Sequence, residues 1–515
     1  MELNSVTFAL TVTLLFLSIN LQAYTPVDRF TISCGTSGKS SDGERTWTGD
    51  RDSNLLSRQD GTVSANATTQ SLFINQVPYA TARFSRSQFN YSFPVTAGPK
   101  FVRLFFYPTS YHSFTRSDAS FTVQANQFTL LRGFNASLNA DAQSCMKTIF
   151  KEYVINVDSG DRLNLSFTPS HSNSYAFING IEVLSMPSDL YYTPENDFGF
   201  TLVGSGALYD VKTNTALETV YRFQMGAAVG IPPQNDTGLF RNWPGYDTDY
   251  YLALLPIRIP VYRNCAGLNI TVNPDYVAPK ELYRTAAPLL RASPLVDDIS
   301  DRVFFIFING ELADGRADVM RWNQKQKGLA VQKNYAVLIP KNNTRKKVNL
   351  KLQLHPHESN RFTRIHDPFL NGLEIFKISH LRSNNLAGPN PDPLQTPKST
   401  DAVTVESRKS SGGGARETNI IGVVAGVISG VFLISLVVFL VVFFQRKRIT
   451  KSSATSKCLP LLVKRDIDEL MMCLPKNQVA CLLHWQMKTS ARIMCCERLR
   501  RSLTISDWRV YNPQS

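Results

Sequence analysis

Glycine is absent from everything after Phe444, and cysteine is scarce throughout, at 8 in 515 residues. The first absence excludes a glycine-rich phosphate-cradling loop from that segment. Only Cys34, Cys145 and Cys265 precede the apolar run that ends at Phe444, and three thiols cannot all pair within one chain. Long amphipathic helical periodicity is also missing between Tyr24 and Leu381. So are carboxylates at acid/base spacing: Asp50, Asp52, Glu182 and Asp189 stand among turn residues, with no nucleophile motif beside them. That pattern excludes an enzyme built on paired carboxylates. Cys481-Leu-Leu-His484 with Cys495–Cys496 lacks the two ligand pairs of a zinc finger, so neither a metal nor a cofactor is expected.

The net charge is +14, but it is unevenly spread. After Phe444 there are 14 Lys/Arg against 5 Asp/Glu, which places +9 of the +14 in the last 71 residues. Such a basic tail is drawn to anionic inner-leaflet lipid. It argues against a nucleic-acid groove.

Two apolar runs are present. Residues 1–23 have signal-peptide length and end on Ala23, although the segment before the run has no Lys or Arg and carries Glu2. Ile420–Phe444 is 25 residues without a charge, long enough to cross a hydrocarbon core of about 30 Å. Arg446, Lys447, Arg448 and Lys451 follow it, so the expected topology is a single-pass type I chain with the N-terminus outside. N-x-S/T acceptors at Asn66, Asn90, Asn135, Asn164, Asn235, Asn269 and Asn342 all precede that span. Cys458, Cys473, Cys481, Cys495 and Cys496 follow it, on the reducing side. Residues 384–418 are rich in Pro, Ser and Gly and read as a flexible stalk.

Between these ends, short alternating strands are punctuated by Gly, Pro, Asn and Asp, the pattern of antiparallel sandwiches. The pattern occurs twice. Trp47, Tyr79, Asn126 and Asn179 recur in order as Trp243, Tyr283, Asn309 and Asn371, within similar segments such as "AFINGIEVL" and "PFLNGLEIF". The expected fold is therefore mainly β, with two tandem sandwich modules at 24–188 and 194–380, one transmembrane helix at 420–444 and a basic cytosolic tail at 445–515. Each Asn-Gly step reads locally as a hairpin turn.

"TISCGTSG", "FINGIEVLSMPSDLYY", "ETVYRFQMGAAVGIPPQNDTGLFRNW", "FFIFINGELADGRADVMRW" and "PFLNGLEIFKIS" resemble the tandem malectin-like ectodomain of FERONIA-type plant receptor kinases. The resemblance implies a plasma-membrane receptor facing the cell wall. It implies partners of three kinds: a secreted peptide with a GPI-anchored co-receptor, a cell-wall glycan, or full-length relatives in growth or fertilisation signalling.

Two departures from that pattern stand out. Tyr79 precedes Asn126 by 47 residues but Tyr283 precedes Asn309 by only 26, so the second module is about 21 residues short. The interval missing there corresponds to "FPVTAGPKFVRLFFYP", a turn and a strongly apolar strand, whose loss exposes its neighbours. Exon choice is one source of such a loss. Second, residues 445–515 contain neither HRD nor DFG, so no kinase output is expected from them. Val479–Leu503 is basic with large apolar residues, open to a solvated tail or to a helix on the inner leaflet or calmodulin, and Cys458 is a candidate for palmitoylation.

The expected function is ligand capture at the cell surface. The alternatives are a carbohydrate-binding membrane lectin, or a fragment of a receptor-like Ser/Thr kinase. Sugar sites set aromatic faces beside carboxylates. Two local groups fit that rule: Tyr107, Tyr111, Phe114 and Asp118, and Trp243, Tyr246, Asp247 and Tyr250.

Overall fold

The computed structural model describes most of residues 24–393 and the strand Leu503–Tyr511; within the first span the described residues exclude chiefly 143–146, 247–261, 264–268, 287–295, 340–346 and 358–362. Residues 1–23, Ile420–Phe444, Cys145, Cys265, Asp247, Tyr250 and Asn342 lie outside the described residues. Among the described residues no helix is long and apolar enough to cross a membrane.

The chain is mainly β. Its first half forms β1 (Arg29–Ser33), β2 (Lys39–Ser41), β3 (Thr46–Gly49), β4 (Val63–Asn66), β5 (Thr81–Ser85), β6 (Phe89–Phe93) and β7 (Gly98–Phe106). It continues as β8 (Ser120–Ala125), β9 (Phe128–Asn135), β10 (Ile149–Val157), β11 (Leu163–Pro169), β12 (Ala176–Ile178) and β13 (Gly180–Ser185). Then follow β14 (Phe200–Leu202), β15 (Leu208–Tyr209), β16 (Leu217–Met225), β17 (Gly245–Tyr246), β18 (Tyr262–Arg263) and β19 (Thr285–Ala286). The last are β20 (Phe304–Ile308), β21 (Glu311–Ala317), β22 (Tyr335–Ala336), β23 (Lys347–Pro356), β24 (Gly372–Ile378) and β25 (Leu503–Tyr511).

Period-two patterning sets the first sandwich. In β6, Phe89, Tyr91 and Phe93 are buried while Asn90 and Ser92 are half-buried. These rings meet Val102, Leu104 and Phe106 of β7 and Ile181 and Val183 of β13 in one core. One layer has the order β6-β11-β8-β9; the other carries β10-β7-β13-β1-β3-β2. β7 is buried on both faces, which is why its sequence is nearly unbroken apolar.

The second layer does not stop at the module boundary. β10 pairs antiparallel with β16 at Tyr153↔Glu218 and Val154↔Leu217, so both modules share one nine-stranded sheet. Phe101, Val154 and Leu184, on its face away from the first core, pack against Leu239 and Phe240.

Equivalent residues of the repeat make equivalent contacts. The Asn126 backbone N–H donates to Asn164 O at 3.0 Å while Asn126 Oδ1 accepts from Asn164 N at 2.8 Å. Asn309 does the same with Lys351, at 2.7 and 2.9 Å. Gly35 and Gly226 both hold positive φ, with an added Cβ falling 2.6 Å from Ala82 O and 2.3 Å from Ala286 O.

Asn179 is a correction to the hairpin reading. No hairpin forms there: β12 pairs with β5, and the chain bends at Asn179 into β13, which pairs with β1 and β7. Asn179 is the step between sheets and is fully buried. Its Nδ2 donates to Thr81 O at 2.7 Å and Tyr111 Oη at 2.9 Å, and its Oδ1 accepts from Tyr107 N at 2.7 Å. Asn371 repeats the bond, donating to Thr285 O at 2.7 Å.

The start of the expected stalk is not free either. Thr129 N–H donates to Asn384 O, Leu386 N–H donates to Thr129 O, and Leu386 is fully buried in the first core. Asn390 accepts from Asn135 N at 2.9 Å and donates to Gly133 O at 2.7 Å. Residues 384–390 thus strap the edge of β9, because a sheet edge offers unpaired backbone groups.

The shortened interval leaves its trace in the second module. Among the described residues β24 pairs with β16 alone, where β13 has both β1 and β7. In the other layer the order β21-β20-β23-β25 parallels β9-β8-β11-β6, so β25 takes the place that β6 has in the first module. Leu503–Tyr511, within the expected tail at 445–515, is a strand antiparallel to β23.

Candidate ligand-binding surface

The first candidate group separates into two layers. Tyr111 has no exposed surface; its hydroxyl donates to Tyr107 O at 2.7 Å and accepts from Asn179. Burial pushes its phenol well above the ordinary value. Tyr107 is buried too, its hydroxyl donating to Thr69 O at 2.8 Å. Both are floor, not contact groups, which corrects their assignment as ligand residues.

Phe114 and Asp118 are the outer layer. The half-buried Phe114 ring lies 4.3 Å from Phe84 and 5.0 Å from Tyr175, and the Arg86 guanidinium sits 5.2 Å over it. Asp118 is exposed and accepts from Ser117 Oγ at 3.0 Å. Arg116 pairs with Asp141 at 2.8 Å. Behind them Tyr175 is fully buried, and among the described residues its hydroxyl has no hydrogen-bond partner. Burial, then the Asp118 charge, raises its phenol well above the ordinary range. An aromatic face, a guanidinium and a carboxylate therefore lie on one surface, with the Tyr175 hydroxyl buried beneath them. That combination suits a sugar face or a mixed polar–apolar peptide side chain. Arg86, Arg116 and Tyr175 were not legible as members; only the fold brings Arg86 and Tyr175 to Phe114.

The second group does not assemble as a surface. Trp243 is buried, its Nε1 donating to Asp236 Oδ1 at 3.3 Å, with the Arg241 and Arg222 guanidiniums 5.3 and 5.4 Å from its ring. Its expected ligand role is therefore replaced by a core role. Tyr246 lies in β17, while Asp247 and Tyr250 are outside the described residues.

The isolated carboxylates have structural partners. Asp50 holds Arg83 at 2.9 Å and accepts from Tyr91 Oη at 2.8 Å. Asp189 accepts from Tyr276 Oη at 2.7 Å, and Asp52 accepts from Gly38 N–H. Glu182 begins a buried ion chain that crosses the junction. Arg103 bridges Glu182 and Glu152, each at 2.7 Å, and donates to Leu239 O. Arg222 then bridges Glu152 at 2.9 Å and Glu374 at 2.6 Å. Glu182 and Glu374 are the two glutamates of the repeated Asn-Gly segment, so each module contributes one end. Burial raises the Glu152 carboxyl, but Arg222, Arg103 and the Thr219 hydroxyl outweigh it and bring it down to about 2.

Of the glycosylation acceptors, Asn66, Asn164, Asn235 and Asn269 are exposed, whereas Asn90 and Asn135 are half-buried. Cys34 is a buried free thiol whose ionisation burial opposes. Among the described residues no cluster of His, Cys, Asp or Glu could hold a metal.

The fold defines a protein made of fused β-sandwich modules. Comparison with known proteins agrees. The model of the malectin-like domain matches residues 32–378, and the chain belongs to that family. The receptor-like protein kinase FERONIA of Arabidopsis thaliana is 35% identical over 515 residues, covering 90% of this chain and 55% of the relative. The crystal structure of plant receptor-like kinase FER matches with a TM-score of 0.62 and 34% identity, over 71% of this chain and 100% of that one. The structure of the peptide RALF23 in complex with FER and LLG2 matches at 0.61 and 34%, over 72% and 100%. The chain spans about half the length of the curated relatives it matches.

Proposed function

We propose that this chain is a plasma-membrane receptor-type protein whose malectin-like modules, outside the cell, bind a secreted peptide together with a GPI-anchored co-receptor. One observation carries the reading: the chain covers 100% of the matched chain in a complex that holds a peptide and LLG2. The ion chain supports it, because modules locked at a fixed angle present one preorganised surface. Ligand capture, not phosphoryl transfer, is the activity this reading gives the residues of the sequence. Pull-down of peptide and co-receptor by the whole chain tests it; failure to form a ternary complex with any secreted peptide of the class sinks it. Co-expression with a full-length relative should lower that relative's ligand response.

The Phe114 surface favours a second reading, cell-wall glycan binding. On a glycan array, Phe114→Ala should abolish binding while Tyr111→Phe keeps it. An array with no signal removes this reading and leaves the first untouched.

A further inference from the structure

In the first module β6, β11 and β8 lie side by side, and alternation sends Phe89, Tyr91, Phe93, Leu163, Leu165 and Phe167 into the core. Every residue that these three strands turn outward is Ser, Thr, Asn or Gln. That composition separates the candidate occupants of the face. A face left to solvent carries charges at roughly a quarter to a third of its positions. A protein partner calls for an aromatic or aliphatic centre. A sugar asks for neither. Amides and hydroxyls match its hydroxyl groups, whereas a charge beneath it would lose water without gaining a counter-ion.

Two glycosylation acceptors stand on this face, and the fold joins them. Asn90-Tyr91-Ser92 lies on β6 and Asn164-Leu165-Ser166 on β11. In the antiparallel register Asn90 faces Ser166 while Asn164 faces Ser92, so each acceptor meets the hydroxyl of the other's motif. The two asparagines are therefore diagonal neighbours. Gln124 of β8 faces Ser166 from the other side and completes the rung. Both amides are already oriented. Gln88 Nε2 donates to Asn90 Oδ1 at 3.2 Å, and Ser92 Oγ donates to Asn164 Oδ1 at 2.6 Å. The oxygens are engaged; among the described residues no hydrogen bond engages the nitrogens, where a sugar is joined.

We propose that Asn90 and Asn164 carry N-glycans on the same molecule, and that the paired sugar stems lie over the amide–hydroxyl face of β6, β11 and β8 and close it to protein partners. In the transfer, each Nδ2 takes the anomeric carbon of an oligosaccharide from its lipid pyrophosphate donor. The N–C bond forms, the C–O bond to the pyrophosphate breaks, and the amide gives up one proton. The proposal rests on the extracellular placement of the modules. Partners of the first module then approach by other surfaces, such as that around Phe114, in the loop between β7 and β8.

The test expresses the whole chain in a eukaryotic secretory host. Glycopeptide mass spectrometry should find both sites occupied. Ser92→Ala and Ser166→Ala, which spare the asparagines, should each lower the intact mass by one glycan, and together by two. The thiol of a Gln124→Cys variant reads closure of the face: maleimide should label it slowly in the doubly glycosylated protein, with that protection lost once both motifs are removed. If a serine variant is not secreted, Asn90→Gln and Asn164→Gln remove the same glycans. Occupancy of only one site per molecule would show that the acceptors compete. Fast labelling with both glycans in place would show that the stems stand off the face. Either result overturns the proposal. Bare Asn90 and Asn164 beside modified Asn66 and Asn235 would overturn it and leave the extracellular reading intact, whereas no modified acceptor anywhere would overturn both.

Discussion

Replacing Arg103 by methionine would cut the ion chain at its first link while keeping an apolar stem of similar reach against Phe101, whose ring lies 4.6 Å from the guanidinium. Glu182 and Glu152 would stay buried, and the Leu239 carbonyl would lose its donor. Removing one partner of a buried ion pair costs about 3–5 kcal/mol. The Glu152 carboxyl sets an upper bound, because Arg222, the larger cause of its depression, shares it with Arg103 and stays in place. Its fall from 4.5 to about 2 is a little over two units, or about 3 kcal/mol at 1.36 kcal/mol each. Because the folded value is depressed, this stability is complete above the unfolded value near 4.5 and drains away as pH falls toward 2. The variant has less of it to lose. Equilibrium urea unfolding, read by tryptophan fluorescence, should therefore show Arg103→Met less stable by about 3 kcal/mol at neutral pH. The gap should narrow at pH 3, where much of the Glu152 contribution is already lost. A cost under about 1 kcal/mol at pH 7 would place the chain among decorative surface pairs. An undiminished cost at pH 3 would assign the loss to packing and refute the electrostatic reasoning.

Asn179→Ala should destabilise the first module by about 3 kcal/mol, since it strands the Tyr107 amide and the Thr81 carbonyl in the core, and Asn371→Ala should cost less; paired urea titrations check both. Gly226→Ala should unfold the second module or prevent secretion, because its φ is +72° and the new Cβ meets Ala286 O at 2.3 Å; secretion yield against Gly206→Ala, which has open space, reads the difference. Glycopeptide mass spectrometry should find Asn66 and Asn235 modified and Asn135 largely bare. The Asn135 side chain accepts from Leu138 N at 3.0 Å as the cap of helix Ala136–Asp141, so its amide is committed. Full occupancy at Asn135 would contradict that cap.

Alternation and repetition were legible in the bare chain. Phe89, Tyr91 and Phe93 can only be one face of a strand, because a sheet sends successive side chains to opposite sides. The candidate surface was half-legible: Phe114 and Asp118 lie in one loop, but Arg86 and Tyr175 reach it from other strands.

Local chemistry and tertiary context part company at Asn179 and Arg103. Asn-Gly favours a turn whenever only neighbours are consulted; the step between two sheets exists only once both sheets are in place to receive the amide's hydrogen bonds. Nothing in the sequence marks Arg103, Glu152 and Arg222 for burial, since burial of an ion is unfavourable until its counter-ion arrives. Those counter-ions lie 49 to 152 residues away along the chain, brought in by β10, β13, β16 and β24. Periodicity is a property of the covalent chain and survives without a fold, whereas charge compensation is a property of the packed interior and does not.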